Sequence, residues 1–294
     1  MILRRKNGCG AFHSLLCIIV GFCALCVWPA AAGVIEEAEV YYAFEGSGQI
    51  VEDRSGGTDI DLQMGSTSGS DANDPTRTTG KVGSGLSFDG DDVAHSVVDV
   101  DRLDFNADDA FSVAGWFRRA TAAGTIQKFL MSKMTPSGAY PGWFMAWRDD
   151  GISTNPNSLL FYMRDNEGSS GNGALQIYTN PVTNTDWVHV AVTYDGSSNP
   201  SGVQFYLDGQ PLGVDRTGDD LEPTDVTDNG TPFNLGGRAD TGSWDGLQDE
   251  IGVWNRVLTE SEVQETMTGI PEPGSGLLLV IAGMGLLWRR RGRS

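Results

Sequence analysis

The chain has 294 residues and a formal charge of −19, with 39 glycines, four cysteines and three histidines. Setting aside three basic residues near the start and four arginines at the end leaves 13 Lys+Arg against 39 Asp+Glu, a charge of −26. A surface of that sign repels nucleic acid and anionic lipid headgroups, keeps an exported protein soluble and suits divalent cations, so a nucleic-acid partner is not expected.

The first 32 residues read as a secretory signal peptide. Arg4, Arg5 and Lys6 form a basic start, an apolar run extends from about Leu15 to Val27, and Ala30 and Ala32 satisfy the small-residue rule for cleavage after Ala32. A retained anchor would need a longer apolar core. Cys9, Cys17, Cys23 and Cys26 all lie in this segment, so the exported body is expected to have no disulfide although its compartment permits one. Cys26 lacks the aliphatic residue three positions earlier that a lipoprotein cysteine requires, because Cys23 stands there.

After a linker over 33–38, the body from 39 to 268 is β throughout. Phe111–Arg119, Ser158–Asp165, Ala174–Asn180 and Trp187–Gly196 are short β-branched or aromatic runs, punctuated by Gly, Asn, Asp, Ser and Pro. Asp208-Gly209 separates two such runs and predicts a two-residue hairpin, whose type I′ turn needs positive φ at both positions. The polar stretches Gly65–Gly80 and Asp215–Pro232 read as surface loops. Thr259 and Glu262 form a capping box for one short helix. Many short strands with closely spaced turns predict an all-β, two-sheet antiparallel sandwich or jelly roll. A body of this length can bury one substantial core without cross-links.

The chain closes with Pro271-Glu272-Pro273, a hydrophobic helix expected over about 275–288, and the basic tail 289–293. The thirteen residues Gly276–Trp288 carry no charge. As a helix they would span roughly 20 Å, short of the roughly 30 Å hydrocarbon core, which suits a temporary stop better than a permanent anchor. The arginines would stay cytoplasmic and leave the body outside.

Two resemblances follow from these residues. Residues 269–294 resemble a PEP-CTERM sorting signal: Pro271, Glu272 and Pro273, then the apolar helix, then Arg289, Arg290 and Arg291. That resemblance implies recognition by an exosortase-type processing enzyme, after signal peptidase, and a passage from an inner-membrane intermediate to the surface or extracellular matrix of a Gram-negative-type bacterium. It associates the protein with biofilm. An ordinary tail anchor is the plainer alternative. The body resembles the LamG-like jelly roll of the concanavalin A-like lectin/glucanase superfamily in Asp53–Ser66, Gly80–Asp92, Phe111–Arg118, Trp187–Gly196, Val203–Gly213, Phe233–Asp240 and Trp244–Val263. The resemblance implies two stacked sheets of roughly twelve to fourteen strands. Gln248 departs from it, standing where an aliphatic residue is usual.

Relatives of this fold often hold a structural calcium ion, and calcium takes six to eight oxygens. The candidates here are Asp89, Asp91, Asp92 and Asp249, against the alternatives that Asp89-Gly90 is a turn and that Asp249 or Glu250 caps backbone amides. Hydrolases of the superfamily carry Glu-x-Asp-x-Glu or a near variant on one strand to flank the scissile bond. Here Asp249-Glu250 is followed by apolar residues, so a glycoside hydrolase is the weaker reading and no catalytic residue is expected. His189 is expected to be a packed strand residue, and the body has no cysteine nucleophile. A binding module would stack sugars on exposed aromatics, with Tyr140, Trp143, Trp147 and Trp244 as candidates. Exposed Trp143 and Trp147 would favour polysaccharide binding; buried ones would favour a purely structural or adhesive surface protein.

Overall fold

The computed structural model describes residues 33–137, 140–164, 173–218, 230–238 and 241–269. The expected signal peptide with its Ala30 and Ala32 cleavage site, and the expected sorting signal from Pro271 onward, lie outside the described residues. So does most of the expected loop 215–232.

In chain order the strands are β1 (Val40–Tyr42), β2 (Ile50–Val51), β3 (Leu62–Met64), β4 (Thr76–Thr79), β5 (Ser84–Asp89), β6 (Ala94–Ser96), β7 (Phe111–Arg119), β8 (Gln127–Met134), β9 (Gly142–Arg148) and β10 (Leu159–Arg164). There follow β11 (Ala174–Thr179), β12 (Val188–Tyr194), β13 (Val203–Leu207), β14 (Gln210–Leu212), β15 (Val214–Gly218), β16 (Asn234–Leu235), β17 (Gly237–Arg238), β18 (Thr241–Gly242), β19 (Asp245–Trp254) and the helix α1 (Glu260–Thr266). One sheet runs β14-β13-β12-β7-β19-β5-β4, with β1 also pairing β19; the other runs β15-β11-β10-β9-β8-β16-β6-β3-β2. Both are antiparallel, and β17-β18 is a separate ribbon. This is the expected two-sheet sandwich.

Alternation sorts each central strand. Trp143, Met145 and Trp147 of β9, Leu159, Phe161 and Met163 of β10, and Leu175 and Ile177 of β11 face inward. There they meet Phe111, Val113 and Phe117 of β7 and Val188, Val190 and Val192 of β12. A second apolar cluster lies on the other side of the eight-stranded sheet, where Leu258 and Val263 at α1 cover Tyr41, Ala114, Ala191 and Trp254. The capping box of α1 forms as expected, with Thr259 Oγ1 accepting from Glu262 N–H and Glu262 reaching back to Thr259 N–H. The Asp208-Gly209 hairpin also forms, with φ of 49° and 75° at its two central residues.

Two polar stretches contain strands. Thr76–Thr79 pairs with β5 at the sheet edge, because Arg77 spends its guanidinium on the carbonyls of Phe44, Gly48 and Ile50 and so ties β4 down. Asp215–Gly218 completes β15, paired with β11. Asp53 gathers the N-terminal turns, accepting from Tyr41, Ser55 and Ile60 N–H.

Candidate ligand-binding face

The expected sugar-stacking tryptophans are not on a surface. Trp143, Trp147 and Trp244 are fully buried, and Trp143 donates its indole N–H to Leu103 O at 2.9 Å. Trp147 stacks on Trp244 within the core, and the Arg119 guanidinium lies 4.7 Å over Trp147. Trp143 and Trp147 do share one sheet face, as their spacing requires, but it is the inward one. The largest apolar rings on a half-buried strand bury the most area by facing the core. Tyr140 alone of the four remains exposed, at 37%.

The opposite parity of the same strands builds the face that sequence reasoning missed. Phe144, Ala146 and Arg148 of β9, Leu160, Tyr162 and Arg164 of β10, and Gln176 and Tyr178 of β11 alternate with the core set and point away from it. Phe129 of β8 meets Phe144 edge-on at 5.0 Å, and Phe144 stacks on Tyr162 at 5.1 Å with 15° between planes. These three rings form a row across three adjacent strands, since cross-strand neighbours lie about 5 Å apart. Phe144, Ala146, Leu160 and Tyr178 are buried in a third apolar cluster, and Phe129 and Tyr162 are the half-buried rings packed against it. Arginines flank the row. Arg148 lies 5.1 Å over Tyr178, and Arg238 lies 5.0 Å over Phe129 and 5.3 Å over Tyr140. Cations over ring faces hold both partners in place. The half-buried Phe129 and Tyr162 can pack against a ligand while guanidinium donors hydrogen-bond its oxygens. The signal was available in the period-two alternation: once Trp143 and Trp147 are placed inward, Phe144 and Tyr162 must face outward.

The calcium candidates separate into two places. Asp89, Asp91 and Asp92 share the turn after β5, and each can bring one carboxylate oxygen within 4.8 Å of the others. Asp92 is the buried member; its Oδ2 accepts from Asp89 N–H at 2.9 Å, and burial with help from Asp89 and Asp91 pushes its carboxyl up to about 7. A hydrogen bond from Asp91 holds Asp89 low and Asp91 high. Carboxylates this close fit a hard cation in type and spacing, with backbone carbonyls and water left to complete its oxygens. Asp249 is not part of that group. Asp89 pairs with Asp245, so Asp249 lies four residues along β19, about 13 Å away. In a second acidic cluster, Asp99, Asp101 and Asp104, two members are paired with Lys133, whose Nζ sits 2.7 Å from Asp99 and 2.6 Å from Asp104.

Asp249 and Glu250 instead hold structure. A bulge in β19 breaks the alternation, with Glu250 at φ 52°, so that Gln248 and Ile251 both face the core. Asp249 Oδ2 accepts from Lys81 and Val82 N–H at 2.7 and 2.8 Å, and Glu250 Oε2 accepts from Tyr41 Oη at 2.5 Å. Burial, with Glu250 beside it, pushes Asp249 up to about 8 against the pull of the two amides. Gln248 donates across the sandwich to Leu130 O at 2.8 Å, which accounts for a polar residue at an aliphatic position. His189 is buried, meets Trp116 edge-on and lies 3.1 Å from Thr266 Oγ1; burial lowers it to about 3, so it stays neutral. These groups are packed and bonded as the plainer readings of the sequence anticipate.

Among the described residues no helix is long and apolar enough to cross a membrane. A family model of the concanavalin A-like lectin/glucanases superfamily matches residues 89–264. No curated protein matches the chain. Among solved structures, the binding domain of Paraclostridial Mosquitocidal Protein 1 is similar at 16% identity and TM-score 0.56, over 80% of this chain and 52% of that one. The botulinum neurotoxin serotype G binding domain is similar at 13% identity and TM-score 0.54, over 79% of this chain and 50% of that one. The chain therefore spans about half the length of these two. Domain 4 of AbnA, a GH43 extracellular arabinanase from Geobacillus stearothermophilus, in complex with arabinotriose, is similar at 15% identity and TM-score 0.53, over 79% of this chain and 98% of that domain. Identities this low make the likeness one of fold.

Proposed function

This chain belongs to the concanavalin A-like lectin/glucanase superfamily, and from that premise we propose that it is an exported, non-enzymatic binding or adhesion protein that holds polysaccharide on the outer face of its nine-stranded sheet. The observation that carries this reading is the row Phe129–Phe144–Tyr162 with arginines beside it, on the strand parity left over after the core is filled. The fold likeness to domain 4 of AbnA, printed as a complex with arabinotriose, and to domains named for binding points the same way. The non-enzymatic reading draws support from Asp249 and Glu250, the acid pair that comes nearest to the alternating acids of superfamily hydrolases. Both are occupied in holding backbone amides and Tyr41.

The experiment is retention of the full chain on a panel of immobilised polysaccharides, with Tyr162→Ala as the control for the face. Saturable retention that Tyr162→Ala abolishes supports the reading. Retention that ignores this substitution places the ligand elsewhere. No retention on any member favours the purely structural surface protein, the reading to which the burial of Trp143 and Trp147 lends weight.

Delivery is the second element of the proposal. A signal peptide ending at Ala32 and a PEP-CTERM signal built on Pro271, Glu272, Pro273 and Arg289–Arg291 would take the chain through signal peptidase and an exosortase-type enzyme to the cell surface or matrix. Deleting Pro271–Pro273 should leave a larger, membrane-retained product; unchanged mass and location would defeat this part. A structural calcium ion at Asp89, Asp91 and Asp92 belongs to the same proposal. Its role would be to fix the turn after β5.

A further inference from the structure

We infer that the polysaccharide held on the aromatic face is an anionic one, a chain bearing carboxylate or sulfate groups, gripped by Arg148, Arg164 and Arg238. The inference rests on the binding reading of that face and adds its charge class.

It begins from where the few cations of a very acidic body go. The described ion pairs use Arg54, Arg102, Lys128, Lys133 and Arg256. Arg77 and Arg119 spend their guanidiniums on backbone carbonyls, Arg119 also on Asn157, Lys81 lies over Trp116, and Arg118 is exposed alone on β7 of the other sheet. Arg148, Arg164 and Arg238 behave differently. All three are half-buried and stand around the Phe129–Phe144–Tyr162 row: Arg148 and Arg164 by strand parity, Arg238 through its position over Phe129 and Tyr140. Arg148 gives hydrogen bonds to Gln127 Oε1 at 3.3 Å and Thr154 O at 2.8 Å, both neutral acceptors, which orient it without neutralising it. Among the described residues, the one acid that register places on this side of β9, β10, β11 or β15 is Asp215, opposite Tyr178 at the sheet edge.

Among the described residues, guanidiniums gather on this aromatic surface and the acid lies at its margin, an arrangement that gives the surface a local field opposite to the net charge. At physiological salt the Debye length is about 8 Å, so the acids elsewhere on the body are screened and the local arginines decide. Guanidinium matches carboxylate and sulfate with paired, charge-assisted hydrogen bonds, a fit that neutral hydroxyls do not supply. The half-buried Phe129 and Tyr162 would pack against the sugar rings between successive anionic groups.

The test uses the full chain on alginate, a polyuronate, and on dextran, a neutral glucan, with the Arg148→Gln/Arg238→Gln double variant and Tyr162→Ala. Circular dichroism confirms that each variant is folded. Retention on alginate at physiological salt, weakened roughly tenfold or more in the arginine variant and by 1 M salt, supports the inference. Retention on dextran that Tyr162→Ala abolishes and the arginine variant does not would overturn the anionic class while leaving the binding face in place. No retention on either polymer, or retention untouched by Tyr162→Ala, would overturn both.

Discussion

Asp249→Asn tests how β19 is fastened. Asp249 is fully buried, its Oδ2 caps Lys81 and Val82 N–H, and burial holds its carboxyl up to about 8. An unfolded aspartate titrates near 3.9. A carboxyl raised in the folded state gives stability that is fully present below the unfolded value and lost as pH rises through the folded one. Between about pH 4 and pH 8 the unfolded chain has lost this proton and the folded chain keeps it, so stability falls by about 1.4 kcal/mol per pH unit from this group. The whole window amounts to about 5.5 kcal/mol, a large share of a typical domain's 5–15 kcal/mol. Asparagine keeps a carbonyl oxygen for the two amides and never ionises. The substitution should therefore leave stability near pH 4 almost unchanged and flatten its decline towards pH 8, making the variant the more stable form there. Asp249→Ala strips the amides of their acceptor and should be weaker than Asp249→Asn by about 2–5 kcal/mol at every pH. Urea unfolding followed by tryptophan fluorescence at pH 4.5, 6, 7.5 and 9 measures all three chains. Parallel pH curves for wild type and Asp249→Asn, with the variant uniformly weaker, would show that Asp249 is already ionised at neutral pH and refute the reasoning.

Three further outcomes are expected. Trp143→Ala removes a fully buried ring and the indole donor to Leu103 O; it should cost about 3–5 kcal/mol, or roughly 10 °C in Tm, readable by thermal melting. Gln248→Leu should be nearly neutral in the same assay, because Leu130 O keeps a second donor in Gly236 N–H at 3.1 Å while Gln248 Oε1 has no partner of its own. If calcium occupies the turn after β5, calcium at a hundredfold excess over its Kd should stabilise the chain by about 2.7 kcal/mol relative to chelator, an increment that Asp91→Ala removes and Asp249→Asn does not. Identical melting in calcium and chelator would end the metal proposal.

The fold was legible because strand alternation and turn chemistry are local. Asp208-Gly209 demands positive φ wherever it sits between strands, and Thr259 with Glu262 makes its capping box from one turn of chain. What escaped was long-range. Nothing near Arg77 in sequence says that carbonyls at Phe44 and Ile50 will receive it and draw Thr76–Thr79 into a sheet edge. Asp249 looks like a metal ligand beside Glu250 until the bulge at Glu250 is seen, since only that break in register turns it towards Lys81 and Val82. Lys133 was equally silent: a lysine is rarely buried without a partner, and its partners Asp99 and Asp104 come from a distant loop.

The candidate face shows how far parity alone can go. On β9 the tryptophans and the phenylalanine compete for one inner surface, and strand geometry allows only one parity to win. Burial favours the larger pair, so Trp143 and Trp147 go inward and Phe144 is left outside with Arg148. On β10 the same contest sends Phe161 and Met163 inward and leaves Tyr162 and Arg164 beside them. Two adjacent strands thus deliver aromatic and arginine residues to the same outer surface as a consequence of filling the core. The core requires no particular identity at those outer positions. Tyr162 and the three arginines, all half-buried, are therefore the residues at which a change should alter what the protein holds while leaving its sandwich intact.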